Sequence, residues 1–210
     1  STLEPHLVGP HTPDLAHTIS EMGAHRKENG WDPKLSAALI GSCTNSSYED
    51  VGRSVSIIEQ AKAKGYEMPT PFFVSPGSNM IQNTIERDGL MTSLTEAGAT
   101  VLANACGPCI GQWERDDVDK GDINTIVTSF NRNFRARNDS NPATLGFIGS
   151  PELVTALGLA GRIDFNPLTD ELEAKDGTKF KLDPPVAPEF PESGFVPDEV
   201  GYLAPKGSDA

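Results

Sequence analysis

Short apolar runs alternate with stretches of helical spacing along most of this chain. Leu35–Ile40 is one such run, closed by Gly41-Ser42, and it predicts a buried strand. Within Tyr48–Ala63, Val51, Val55, Ile58 and Ala61 fall on one face of a helix. Pro71–Val74 predicts a second strand, stopped by Ser75-Pro76-Gly77-Ser78. Met80–Arg87 and Met91–Ala97 predict two helices. Thr100–Ala103, Thr125–Phe130 and Leu145–Ile148 predict three more strands. Ser150 and Pro151 mark a helix start, as N-cap and first helical residue, and that helix runs to Ala160.

Strands alternating with helices, each strand a short apolar run, predict a parallel sheet covered on both faces. The expected class is α/β: a three-layer domain over residues 34–165, with about five strands flanked by helices. Residues 1–33, rich in Pro, Gly and His, predict an irregular lead-in with one short helix near Leu15–Met22. From Asn166 onward Asp, Glu, Lys and Pro dominate. Pro184, Pro185, Pro188 and Pro191 predict an extended linker or tail over 166–210. No internal repeat is visible.

The length, 210 residues, suits one α/β domain with a sizeable core. The formal charge of −13 argues against nucleic acid and anionic membrane as partners, because phosphate binding needs a basic surface. No apolar run is long enough to span a bilayer. The start, Ser1-Thr2-Leu3-Glu4-Pro5, has no signal or transit character and no initiator Met, which predicts a processed or excised piece.

The three cysteines change the picture. Cys43 follows the first predicted strand; Cys106 and Cys109 follow the third. Ligands of open parallel sheets bind beyond the carboxyl ends of the strands, so the three thiols can converge on one edge. An odd count with one C-x-x-C pair suits a reduced compartment and metal or redox use. Thiolates that converge there bind soft metals or iron–sulfur clusters. Thr44, Asn45 and Ser46 predict an N-cap whose following N–H groups face an anionic cluster. A [4Fe–4S] cluster normally takes four thiolates; three leave one iron open to act as a Lewis acid. The rival reading is a thiol–disulfide oxidoreductase, since Cys106-Gly107-Pro108-Cys109 has the thioredoxin-type form. Ala105 in place of Trp before the motif, and the polar setting of Cys43, weigh against it.

Asn131-Arg132-Asn133-Phe134-Arg135-Ala136-Arg137 follows the fourth predicted strand and carries three Arg in an acidic chain. A solvated basic loop is the bland reading; a carboxylate clamp is the functional one, because planar guanidinium groups grip carboxylates in bidentate fashion. Three segments together, Gly41 to Asp50, Asn104 to Trp113 and Asn131 to Phe134 followed by Arg137-Asn138-Asp139, resemble the signatures of the aconitase family, specifically its mitochondrial type. Homoaconitase and isopropylmalate isomerase share the cysteine motifs, so a relative of that kind is the alternative within the resemblance.

The resemblance implies roles for matching positions. Cys43, Cys106 and Cys109 are expected to ligate three irons of a [4Fe–4S] cluster whose fourth iron no cysteine holds. Asn131 is expected beside the cluster, and Arg132 and Arg137 on substrate carboxylates. The implied reaction interconverts citrate and isocitrate through cis-aconitate in the mitochondrial matrix. The base and further groups are expected from remaining domains, so the isolated chain is expected to be inactive. His6, His11, His17 and His25 lie outside the catalytic motifs, and Trp31 and Trp113 read as packing residues.

Overall fold

Five parallel strands form the centre of the structure, a computed structural model that describes residues 3–198. In chain order the elements are His6–Val8 (β1), Ala16–Thr18 (β2), Met22–Asn29 (α1), Leu35–Gly41 (β3), Tyr48–Lys62 (α2) and Phe72–Ser75 (β4). There follow Asn79–Arg87 (α3), Leu90–Glu96 (α4), Thr100–Val101 (β5), a 3-10 turn at Pro108–Ile110, Asn124–Thr128 (β6), Thr144–Ile148 (β7) and Pro151–Ala160 (α5). A small hairpin, Leu172–Glu173 (β8) with Lys179–Phe180 (β9), closes the series.

The large sheet has the order β2-β1-β7-β6-β3-β4-β5, in which β7, β6, β3, β4 and β5 are parallel. Strand β3 is central because its sequence has almost no polar side: six of its seven residues are buried. Alternate residues serve two cores. Ala38 and Ile40 join the larger cluster with Val55, Ile58, Leu94 and Leu157 from the helices. Ala37 and Leu39 join a smaller one with Ile126, Phe130, Cys109 and Trp113. The fold is α/β with a mostly parallel sheet and five helices, as expected, and only the cover of the second face differs. The second face is covered by the cysteine-bearing loop with its single 3-10 turn, and Trp113 supplies the bulk that a helix would otherwise bring.

Helix boundaries follow local chemistry. Ser47 and Asp50 form a reciprocal capping box at the start of α2. Ser78 caps α3, and Ser150 caps α5 with Pro151 in its first turn, as expected from the sequence.

The lead-in departs from expectation. No helix lies at Leu15–Met22. Ala16–Thr18 instead pairs antiparallel with β1, and Val8 pairs with Ile148, so the lead-in extends the sheet by two strands. Three-residue strands are too short to show a period of two in sequence; their place is set by burial of Leu7 and His17 in register. The helix follows at Met22–Asn29, anchored by Arg26 to Asp164 at 2.5 Å.

Residues 166–198 are extended for much of their length, yet they are packed. Leu172, Ala174 and Phe180 enter the larger core. Val186 N–H donates to Ser56 on α2, and Val196 N–H donates to Thr84 on α3. The rest of the expected tail, 199–210, lies outside the described residues.

Gly41 is the tightest point. Its φ is +99°, and an added Cβ would lie 1.9 Å from the Ser75 carbonyl oxygen. We expect Gly41→Ala to lose about 3 kcal/mol or more in urea unfolding. Ser150→Ala, which removes only a cap, should lose about 1 kcal/mol. Equal effects of the two would refute this account of the β3 exit.

Candidate functional site

The five parallel strands end on one rim, and every candidate residue lies on it. Cys43 sits two residues beyond β3. Cys106 and Cys109 lie in the loop after β5, Cys109 within the 3-10 turn. Asn131, Arg132 and Arg137 follow β6. Cys43 and Cys106 are exposed, Cys109 is half-buried, and none is in a disulfide.

The rim is stitched by short polar bonds. Gly41 N–H donates to Ser129 Oγ at 2.9 Å, and Ser42 N–H donates to the Ser75 carbonyl at 3.2 Å. Asn45 Nδ2 donates to the Ser129 carbonyl, which ties the Cys43 loop to the end of β6. The Cys106 loop is held from the side by Asn104, whose Nδ2 donates to Asn79 and Gln82 on α3.

The three thiols share this rim without closing on one centre: among the described residues no group of three His, Cys, Asp or Glu is placed to hold a metal ion. The donor set itself fits a soft metal group. It offers three reduced sulfurs, two of them open to solvent. Joint ligation requires the loops to draw together.

One electrostatic expectation is corrected. The N-cap of α2 is Ser47, and the loop N–H groups of Thr44 and Asn45 turn toward Ser42 Oγ, at 3.3 and 3.4 Å. Glu49 and Asp50 occupy the first turn of α2, and the Asp50 carboxylate already accepts from Ser47 N–H. Negative charge therefore sits where an anion was expected to find free donors.

The arginines divide into distinct environments. Arg132 is exposed, and its Nη1 donates to the neighbouring Asn131 carbonyl at 2.7 Å. The Asn131 side chain is exposed. Arg137 is half-buried, and its Nε donates to the Cys109 carbonyl at 3.0 Å. That leaves the two Nη groups of Arg137 as a fork for a carboxylate. Arg135 Nη1 donates to the Pro142 carbonyl at 3.3 Å.

Arg115 carried no signal in the sequence, and His11 read as lying outside the catalytic motifs. Arg115, in a run of acidic residues, has a side chain only 3% exposed. It pairs with Asp117 and Asp139, donates to Asn124, and stacks over Trp113. A cleft of about 660 Å³ beside the 3-10 turn is lined by Trp113, Arg115 and Asp139. His11, far off in sequence, forms a bridge with Phe134 in the arginine stretch. Burial, then the nearby Arg135 guanidinium, holds its imidazole below the usual histidine range. His17 is structural: Nε2 donates to the Gly9 carbonyl, and Nδ1 meets His25 Nδ1 at 2.8 Å.

With the rim described, its relatives can be compared. A family model for the aconitase family (aconitate hydratase) matches residues 1–161. This chain belongs to the aconitase family. It is 56% identical over 207 residues to a Caenorhabditis elegans protein named "Probable aconitate hydratase, mitochondrial". It is 55% identical over 205 residues to the mitochondrial aconitate hydratases of Gracilaria gracilis and Saccharomyces cerevisiae. These matches cover 98–99% of the chain but only 26–27% of each relative, so this aconitase-family chain spans about a quarter of their length.

The buried Arg115–Asp139 pair separates structural from functional arginines. Arg115→Ala leaves a buried carboxylate unpaired and should cost about 3–5 kcal/mol in urea unfolding. Arg132→Ala, at an exposed position, should leave the midpoint unchanged. A fully stable Arg115→Ala protein would contradict the assigned ion pair.

Proposed function

We propose that this chain is the cluster-bearing part of a hydro-lyase that interconverts citrate and isocitrate through cis-aconitate in mitochondria. Cys43, Cys106 and Cys109 hold three irons of a [4Fe–4S] cluster, and residues 34–165 form the unit that carries it. The observation that supports this most is that three reduced thiols and the arginine stretch follow strand ends on one rim. The names of the mitochondrial relatives support the reaction and the compartment.

When bound, the cluster supplies an iron without a cysteine ligand, a Lewis acid for substrate hydroxyl and carboxylate oxygens. The chain's own residues bind and orient. Arg137, braced through Nε on the Cys109 carbonyl, offers its Nη fork to one carboxylate beside the thiols. Arg132, exposed at the end of β6, meets a second. Asn131 offers an amide to the cluster or its ligand. Citrate is an anion and the chain carries −13, so long-range electrostatics oppose the encounter. Salt screens that field beyond roughly 8 Å at physiological strength, and the two guanidinium groups act inside that distance.

The remaining domains of the complete enzyme are the macromolecular partners. Met80, Ile110 and Phe134 are 40%, 39% and 52% exposed. These apolar side chains flank the rim where the other domains pack. We place the base for the C–H proton in those domains.

Anaerobic reconstitution with iron and sulfide, read by absorption and EPR, tests the ligand set. Cys43→Ser, Cys106→Ser and Cys109→Ser should each impair assembly, because an alkoxide replaces thiolate poorly. Unchanged cluster content in Cys43→Ser would reject the assignment and favour a dithiol role for Cys106 and Cys109.

In the full-length enzyme, Arg132→Ala or Arg137→Ala should lower kcat/KM for citrate by about two orders of magnitude, the lower part of the 2–5 kcal/mol cost of losing a buried charged partner. Cluster content should remain. The reconstituted 210-residue chain alone should give negligible cis-aconitate absorbance. Robust turnover would place a complete site within it.

A further inference from the structure

We propose that Asn138 is a positioning residue that fixes the turn carrying Cys109. This rests on the cluster reading for its purpose but not for its geometry. A single 3-10 turn cannot satisfy its own last carbonyls, which need partners from elsewhere. At Pro108–Ile110 the Pro108 carbonyl accepts from Gly111 N–H at a long 3.4 Å, and its shorter partner and those of the following carbonyls come from one distant segment. Asn138 Nδ2 donates to the Pro108 carbonyl at 3.0 Å, across 30 residues of sequence, inside the protein. Arg137 Nε takes the next carbonyl, that of Cys109. Ser140 Oγ donates to the Gly111 carbonyl at 3.4 Å.

Asn138 is buried, at 5% exposure, whereas Arg137 is half-buried and Ser140 exposed. Its segment is itself anchored. Asp139 accepts from Thr144 Oγ1 at 2.7 Å and pairs with buried Arg115. Asn138 Oδ1 faces Gly146 on β7, where an added Cβ would lie 3.4 Å away. The Cys109 turn is thus tied to the 138–141 segment through one carboxamide. Arg137 keeps its Nη groups for substrate, while Asn138 keeps the sulfur in place.

The test uses the full-length protein, stripped of metal, with Asn138→Asp and Asn138→Ser. The first is isosteric but cannot donate; the second is too short to reach. Iodoacetamide labelling, read peptide by peptide, compares Cys109 with Cys43 as an internal control. Labelling of Cys109 should rise about tenfold, as expected for local opening when one buried hydrogen bond is lost. Cys43 should label as before, and Asn138→Ser, which adds no buried charge, should melt close to wild type. Unchanged Cys109 labelling, a rise at all three thiols together, or failure of both variants to fold would each overturn the proposal. A second arm reconstitutes the same proteins and follows iron loss in air. Faster loss in the variants supports the link to the cluster, and equal loss overturns it. If wild type takes up no iron while the labelling result holds, the cluster reading falls and the positioning role stands.

Discussion

At Gly41 the central strand leaves the sheet through a space that admits no side chain. Its φ of +99° and its contact with the Ser75 carbonyl leave room for hydrogen alone. Two bonds fix the exit, from Gly41 N–H to Ser129 on one neighbour and from Ser42 N–H to Ser75 on the other. Cys43 is the second residue past that point. The place of the first thiol therefore depends on backbone geometry pinned between β4 and β6, and the same pinning sets Ser129 and the start of the Asn131–Arg137 stretch.

The second thiol pair depends on a different constraint. The loop that carries Cys106 and Cys109 also serves as cover for one face of the sheet, through Cys109 and Trp113 against Leu39, Ile126 and Phe130. A loop that buries apolar surface cannot wander, but its backbone polar groups then need partners. Arg137 and Asn138 supply them. Packing and chemistry are coupled here: the residues that satisfy the loop are adjacent to, or identical with, those expected to meet substrate. Arg137 shows this most directly, holding a protein carbonyl with one nitrogen and keeping two others for a carboxylate.

Net charge enters as an opposing background. With −13 on the chain, anion binding must be local. The structure places acids away from the arginine fork by engaging them elsewhere: Asp139 with Arg115, Asp50 in the capping box of α2, and Asp88 with Arg87. The capping box also explains why the N-terminus of α2 does not present free donors at the rim.

What the sequence by itself determined was whatever rests on local pattern. The five parallel strands were legible because each is a short apolar run, and helix α5 was legible to its ends because Ser150 and Pro151 leave few other options. The three thiols and the Asn131–Arg137 stretch stood out because strand ends in a parallel sheet share one rim, and the resemblance to the aconitase family pointed within that stretch to Asn131, Arg132 and Arg137. Tertiary structure decided the rest. The lead-in hairpin was hidden because three-residue strands carry no readable period, and only pairing with β7 defines them. The cover of the second face was hidden because a loop with one turn has no periodicity at all. The roles of Arg115 and Asn138 were hidden because the buried partner of each, Asp139 and the Pro108 carbonyl, lies 24 and 30 residues away, and a hydrogen bond across that span leaves no trace in spacing. Local pattern encodes which segments can be strand or helix; which polar groups meet is settled only when burial forces each one to find a partner.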